Sequence, residues 1–204
     1  MQMPDFTREQ ALHARGYTCV AGVDEAGAGC WAGPVVAGAV VLREDVHHPL
    51  LRDSKTLSHA QRVEAAAWIK EHALAWAIGM ASPQEIDEIN IRQADFLAMR
   101  RAVAALSITP AFVLADGFLI PGLSAPCERV VRGDAQVLSI ACASIIAKTT
   151  RDALMEEYDA QFPGYGFAQH KGYGTKQHAD ALRNHGVTRI HRMTYRPVQA
   201  IQNP

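Results

Sequence analysis

Cys19-Val-Ala-Gly-Val-Asp-Glu-Ala-Gly-Ala-Gly-Cys-Trp-Ala-Gly-Pro-Val-Val-Ala-Gly-Ala-Val-Val-Leu42 is the stretch on which the fold turns. Cys19 to Asp24 has the length and apolar content of a short buried strand, and it ends on an acid pair, Asp24-Glu25. Gly33 to Leu42 is a second strand, rich in valine. Gly27 to Gly33 between them is too short and too glycine-rich to hold a crossover helix, so the two strands are joined tightly. A sheet that begins this way is not a pure βαβ barrel.

Working outward, Ser58 caps a helix running to about His72, and Leu74, Trp76, Ile78 and Met80 alternate with the period of a strand buried on one face. Ser82-Pro-Gln-Glu85 is a capping box with proline at the first helical position. The helix it opens carries Phe96, Met99, Val103 and Leu106 on one stripe and stops before Pro110. Ala111 to Ala115 is a compact strand delivering Asp116, and Arg129 to Val131 another, leading to Asp134. A long helix is expected over 135–160, and a last one capped by Thr175 and stopped at Gly186. No repeat, low-complexity tract or linker interrupts the chain, so 1–204 reads as one α/β domain with a mixed sheet flanked by helices.

Composition bounds the class. The 204 residues are 49% hydrophobic and 20% charged, as in an ordinary globular protein. The first 18 residues contain Asp5, Arg8, Glu9 and Arg15 and no apolar core, so no signal peptide is expected. The longest apolar runs are strand-length and cannot span a bilayer. Cys19, Cys30, Cys127 and Cys142 show no metal or redox spacing and read as reduced thiols of a cytoplasmic protein. The net charge of −1 is unevenly spread: from Tyr165 onward six Lys or Arg (171, 176, 183, 189, 192, 196) face one acid, Asp180. Such a segment suits a polyanion; a solvated helical tail accounts for the same charge. His170, His178, His185 and His191 lie there too, without the close spacing of a zinc site.

Asp24, Glu25, Asp116 and Asp134 fall at three strand ends, three of these sites touching a glycine. Ligands gather beyond strand ends in open α/β sheets. Carboxylates brought together there repel one another unless they hold cations, and an oxygen-only donor set favours Mg²⁺ or Mn²⁺. Two such ions can split a phosphodiester. Lys55, in Asp53-Ser-Lys55, is a natural phosphate grip beside such a site, or one residue of a polar loop. Ser139 to Lys148 is dominated by small residues that let another backbone pack closely, with Ser144 and Lys148 on one face. Tyr165 to Gly174 mixes aromatics, glycines and bases. His170 and Lys171 suit phosphate and the aromatics suit sugars or bases, although a glycine-rich surface loop has the same composition.

Gly22-Val-Asp-Glu-Ala-Gly27, Ala32-Gly-Pro-Val-Val36, Asp53-Ser-Lys-Thr-Leu57, Asp116-Gly117, Gly133-Asp134, Ala143-Ser-Ile-Ile-Ala-Lys148 and His170-Lys-Gly-Tyr-Gly-Thr175, in this order, resemble the bacterial type 2 ribonuclease H family, ribonuclease HII. The resemblance runs from about Val20 to Val198. It implies a ribonuclease H-like fold with a helical C-terminal extension, 165–204, on the substrate face. It implies a metal-dependent endonuclease, acting as a monomer, that cuts the RNA strand of RNA–DNA hybrids. It also implies nicking of duplex DNA 5′ of an embedded ribonucleotide, with 3′-hydroxyl and 5′-phosphate products. Asp24, Glu25, Asp116 and Asp134 match the family's catalytic acids, with Asp24 expected to bridge two Mg²⁺ or Mn²⁺ ions about 4 Å apart. Lys55, Ser144 and Lys148 lie in motifs tied to phosphate binding or site support, and Tyr173 matches a tyrosine that packs on the sugar at the RNA–DNA junction.

One motif departs. The family usually carries Gly-Arg-Gly, contacting the ribose 2′-hydroxyl and a nearby phosphate, where this chain has Gly27-Ala28-Gly29. The backbone path is expected to survive without the guanidinium. Either another base serves this chain, or Ala28 is an introduced substitution; the missing arginine implies reduced activity. Two other readings stand beside the nuclease. One is a module that binds junctions or hybrids and cuts them poorly. The other is a ribonuclease H-like DNA junction resolvase, against which the His170-Lys-Gly-Tyr-Gly motif argues.

Overall fold

The computed structural model describes residues 3–44 and 46–202. Five strands form one sheet: β1 (Val20–Ala26), β2 (Val35–Val41), β3 (Ala75–Ala81), β4 (Phe112–Asp116) and β5 (Cys127–Val130), in the order β3-β2-β1-β4-β5. β1 runs antiparallel to β2 and β2 to β3, whereas β4 lies parallel to β1 and β5 parallel to β4. The sheet is mixed, as the tight first connection requires. The helices are α1 (Thr7–Ala14), α2 (His59–His72), α3 (Pro83–Ala104), α4 (Leu138–Gln161), α5 (Phe167–His170), α6 (Lys176–His185) and α7 (Arg196–Gln202). No helix among the described residues is long and apolar enough to cross a membrane.

Two helices set the sheet's faces. α3 covers one through Ala94, Ala98, Met99 and Ala102, packed with Val23, Ala37 and Ala77. α4 covers the other, where Cys142, Ala143, Ile145 and Ile146 meet Val40 and α2. Each of these buried isoleucines contributes about 1.5–3 kcal/mol. The small residues of α4 allow very close approach: a Cβ on Gly22 would collide with the backbone of Ser139, and one on Gly38 with that of Ala143.

Several boundaries differ from the sequence reading. β3 alternates, but the face that faces the core is Ala75, Ala77, Gly79 and Ala81, while Leu74, Trp76 and Met80 are exposed. α3 lies so near that a Cβ at Gly79 would strike its backbone at Ala98, so the small residues face inward. For the same reason the buried line on α3 is its alanines, and Phe96 and Val103 are only half-buried. α3 is also broken at Asn90 (φ 65°, ψ 161°), whose side-chain oxygen caps the following turn at Gln93 N. β5 starts and ends earlier than expected, and Val131 is exposed. α4 begins at Leu138, because residues 133–135 form a 3₁₀ turn. α6 is followed by α7 and is not the last helix.

Candidate active site

Strand geometry distributes the acids. Along β1 successive side chains point to opposite faces. Asp24 therefore points to the α4 side, toward Ser144, and Glu25 to the α3 side, toward Asp95. β4 ends on Asp116 beside β1. β5, paired with β4, then turns sharply: Arg132 takes a left-handed conformation (φ 54°, ψ 46°), and Gly133 N donates to Asp116 Oδ1 at 2.6 Å. A Cβ at 133 would press on the Ile140 side chain, so a small residue suits this turn. Asp134, in the next position, is buried and bonded through Oδ2 to Lys55 Nζ at 2.8 Å.

Asp24, Glu25 and Asp116 line one cavity of about 280 Å³ together with Gly27, Ala28 and Gly29. Lys55, Arg62, Ser144, Lys148 and Tyr173 also line it. Burial raises the Asp24 carboxyl well above the usual carboxylate range, and the charges of Glu25 and Asp116 raise it further. Glu25 is pushed up to about 7 by burial and then by Asp95 and Asp116. Asp116 is raised by burial as well, partly offset by its bond from Gly133. Glu25 Oε2 is buried without a hydrogen-bond partner. Crowded, under-solvated carboxylates with an orphan oxygen fit a hard divalent cation. As the side chains stand, no three acidic, imidazole or thiol groups among the described residues converge closely enough to hold one ion. The donor set fits in chemistry, and an ion would have to draw the carboxylates in.

The glycine loop is held from behind. Arg192, fully buried, donates to Gly27 O (2.7 Å), Ala28 O (2.7 Å) and Gly33 O (3.0 and 3.1 Å). Arg151, also fully buried, donates to Ala32 O (3.0 Å), Pro34 O (3.0 Å) and Lys171 O (2.8 Å). With these carbonyls turned inward, the amides of Ala28 and Gly29 have no acceptor among the described residues. Gly27 (φ 97°) cannot carry a side chain without striking Arg151.

The sequence model of the ribonuclease HII family matches residues 21–198. The chain belongs to the ribonuclease HII family. It is 51% identical over 191 residues to a ribonuclease HII of Bacillus mycoides, covering 94% of this chain and 74% of that one. With a ribonuclease HII of Vibrio vulnificus it shares 50% over 200 residues, 97% and 93% of the two chains. Among solved structures it resembles ribonuclease H2 from Pyrococcus horikoshii, with a TM-score of 0.77 and 26% identity over 91% of this chain and 97% of that one. Bst-RNase HIII in complex with Mn²⁺ shares the fold at a TM-score of 0.69 and 18% identity, covering 94% and 71%. As a ribonuclease HII family member the chain is an endoribonuclease of RNA–DNA hybrids.

Other members of the anticipated site fall outside the cavity. A wider groove of about 600 Å³ leaves it past Arg62, Lys148 and Tyr173, and His170 and Lys171 line that groove. Both nitrogens of His170 are engaged, Nε2 with Tyr165 O (2.8 Å) and Nδ1 with Gly172 N (3.2 Å). Lys171 is paired with Glu156 at 2.6 Å, and Lys148 with buried Asp152 at 2.7 Å.

Contrary to their spacing, His178 and His191 do meet, Nε2 to Nε2 at 3.0 Å, and His170 stacks on His178. Thr188 N donates to His191 Nδ1 (2.9 Å), and His178 Nδ1 donates to Tyr173 O (3.0 Å), so both rings are neutral with fixed tautomers. This relay braces the Tyr173 loop and leaves no nitrogen for zinc.

The basic C-terminal segment is also largely spent on structure: Arg192 on the loop, Lys171 on Glu156, Arg183 on Asp180 and Arg189 on Gln161. Arg62, Arg151, Arg192, Asp95 and Asp152 went unread as site residues. Asp152, four residues after Lys148, carries the spacing of a helical ion pair; the others act mainly through groups distant in the chain.

Proposed function

We propose that this ribonuclease HII family member cuts the RNA strand of hybrids, and nicks duplex DNA 5′ of a single embedded ribonucleotide, by two-metal hydrolysis. The products carry 3′-hydroxyl and 5′-phosphate ends. The observation that carries the reading is the convergence of Asp24, Glu25 and Asp116 on one cavity with the Gly27–Gly29 loop.

Asp24, Glu25, Asp116 and Asp134 would hold the cations. Two Mg²⁺ or Mn²⁺ ions supply, when bound, water activation and charge neutralisation at the leaving oxygen. Lys148 and Arg62, both held by Asp152, present cationic groups to a phosphate. The free amides of Ala28 and Gly29 suit the ribose 2′-hydroxyl or a phosphate oxygen, the contact that tells RNA from DNA. Tyr173, 44% exposed with Lys148 Nζ 5.7 Å from its ring centre, presents a face for the junction sugar. Without a guanidinium at 28, junction reading rests on backbone, and turnover is reduced relative to a Gly-Arg-Gly loop. Four unpaired thiols suit a reducing compartment, the cytoplasm.

The test is cleavage of a duplex with one ribonucleotide beside a long hybrid, with Mg²⁺, with Mn²⁺ and with chelator. Metal-dependent 5′ nicking supports the reading. Binding to both without cleavage in either metal would instead favour a junction-binding module.

A further inference from the structure

A second cavity, of about 310 Å³, carries two arginines in its lining. Arg52, Asp53, Thr56, Arg132 and Ala135 line it together with Met3 and Pro4. The first five are within three residues of Lys55 or Asp134, which are bonded to each other. These residues therefore flank, in sequence, Lys55, which lines the active-site cavity, and its partner Asp134.

The charges in that region do not balance for a polyanion. Lys55 is tied to Asp134, and Lys148 and Arg62 share Asp152. Asp134 thus neutralises Lys55, and Lys148 and Arg62 keep one net positive charge against Asp152, facing the three further acids Asp24, Glu25 and Asp116. Arg52 and Arg132 are different. Neither guanidinium makes a hydrogen bond or ion pair among the described residues, and Arg52 Nε is buried without a partner. Asp53, the one acid lining the cavity, turns Oδ1 to Lys55 N (2.9 Å). Thr56 spends its hydroxyl proton on Asp53 O (2.7 Å), so the cavity's free donors are the two guanidiniums.

The backbone also aims Arg132. Its left-handed conformation is imposed by the turn that delivers Gly133 to Asp116. An arginine there costs more than glycine or asparagine would. The same turn that positions two acids therefore projects an unpaired cation beside them.

We propose that Arg52 and Arg132 form a phosphate subsite that grips a backbone phosphodiester of the bound nucleic acid, next to the scissile position on the Lys55–Asp134 side. The proposal rests on the endonuclease reading and deepens it. A planar guanidinium pair matches phosphate oxygens in a way one lysine cannot.

The test compares wild type with Arg52→Gln/Arg132→Asn, asparagine being chosen because it tolerates the left-handed backbone. Arg43→Gln serves as control, because Arg43 is exposed just beyond the opposite end of the sheet from Asp24. Duplex affinity is measured across KCl concentrations in chelator, with methylphosphonates placed singly along the ribonucleotide strand. The double variant is expected to bind about ten- to a hundredfold more weakly and to lose about one unit of salt slope per arginine. One methylphosphonate position should weaken wild type and the control but not the double variant, with kcat at saturation unchanged.

A wild type that cuts, alongside a double variant whose slope and methylphosphonate profile match wild type, overturns the subsite. So does a fall in kcat with unchanged affinity, which would mean that the arginines act on Asp134. A wild type that cuts nothing, while the slope and the single phosphate position are still lost in the variant, upholds the subsite and overturns the endonuclease reading instead.

Discussion

Arg192 donates to the carbonyl oxygen of Ala28 at 2.7 Å across 164 residues of sequence. The same guanidinium reaches Gly27 and Gly33, and Tyr195, bonded to it, adds a hydroxyl to Ala28 O at 2.9 Å. The Gly27-Ala28-Gly29 loop is thus shaped by a buried arginine from the C-terminal segment.

Arg192→Met should destabilise the protein by about 3 kcal/mol or more, since each carbonyl left buried and unpaired costs about 1–3 kcal/mol. Urea unfolding should show a lower midpoint with unchanged slope. An unchanged midpoint would mean that water replaces the guanidinium.

Ala28→Arg should raise kcat/KM about ten- to a hundredfold, as one added hydrogen bond from a charged group is worth about 1.5–3 kcal/mol. The gain should be larger on a single embedded ribonucleotide than on a long hybrid, which offers many registers. Equal gains on both substrates would assign the side chain to phosphate grip and not to junction reading.

Asp116→Asn should lower kcat by about a hundredfold or more, while Asn Oδ1 still accepts from Gly133 N and the fold persists. A second readout avoids activity altogether. Mg²⁺ should raise the melting temperature of wild type, because ligand binding to the folded state adds about 2.7 kcal/mol at a hundred times Kd. The variant should show a smaller rise. Equal rises would remove Asp116 from the ion site.

Acid should expose the histidine relay. Burial lowers His178 and His191 from 6.5 to about 4, so the unfolded chain binds more protons than the folded one between these values. Their contribution to stability is present above pH 6.5 and is lost as pH falls toward 4. Glu25, raised to about 7, and Asp95, raised to about 6, mainly by burial, act with the opposite sign. The measurement is therefore a difference: without divalent ions, the stability of His191→Gln should fall less steeply between pH 6.5 and 4.5 than that of wild type. Parallel curves would mean that the relay stays neutral for another reason.

Truncation after Gly164 should yield an unfolded chain, not a folded enzyme of weaker affinity. Phe167, Leu182 and Ile190 pack with Ala32 and Met155, and the deletion also removes Arg192. Far-ultraviolet circular dichroism reads the outcome. A folded truncation would return the segment to the role of a basic tail.

Local chemistry made much of this legible. The cap at Ser58 and the capping box at Ser82 form as read, because each closes within four residues, and Gln61 turns the Ser58 cap into a box as well. The small residues around Ala143 were readable as a close-packing surface, and Gly22 and Gly38 meet them. β3 was readable as a strand but not by face. Alternation specifies two faces, and which one is covered depends on how close α3 comes. The histidines failed for a related reason: 178 and 191 are 13 residues apart, and a turn in the C-terminal segment brings them to 3.0 Å.

By itself, then, the chain's order of residues determined the strands that end in acids, the tight β1–β2 connection, the family and the residue types available for holding cations. Those properties follow from short-range sterics, hydrogen-bonding capacity and periodicity, all written locally. Only the tertiary structure decided that Asp24 and Glu25 face different helices and that the C-terminal cations are mostly consumed by carbonyls and acids. It alone left Arg52 and Arg132 without partners among the described residues. Whether a charge is free or spent depends on which distant groups the packed sheet and helices bring within about 3 Å of it, and no window of sequence contains that distance.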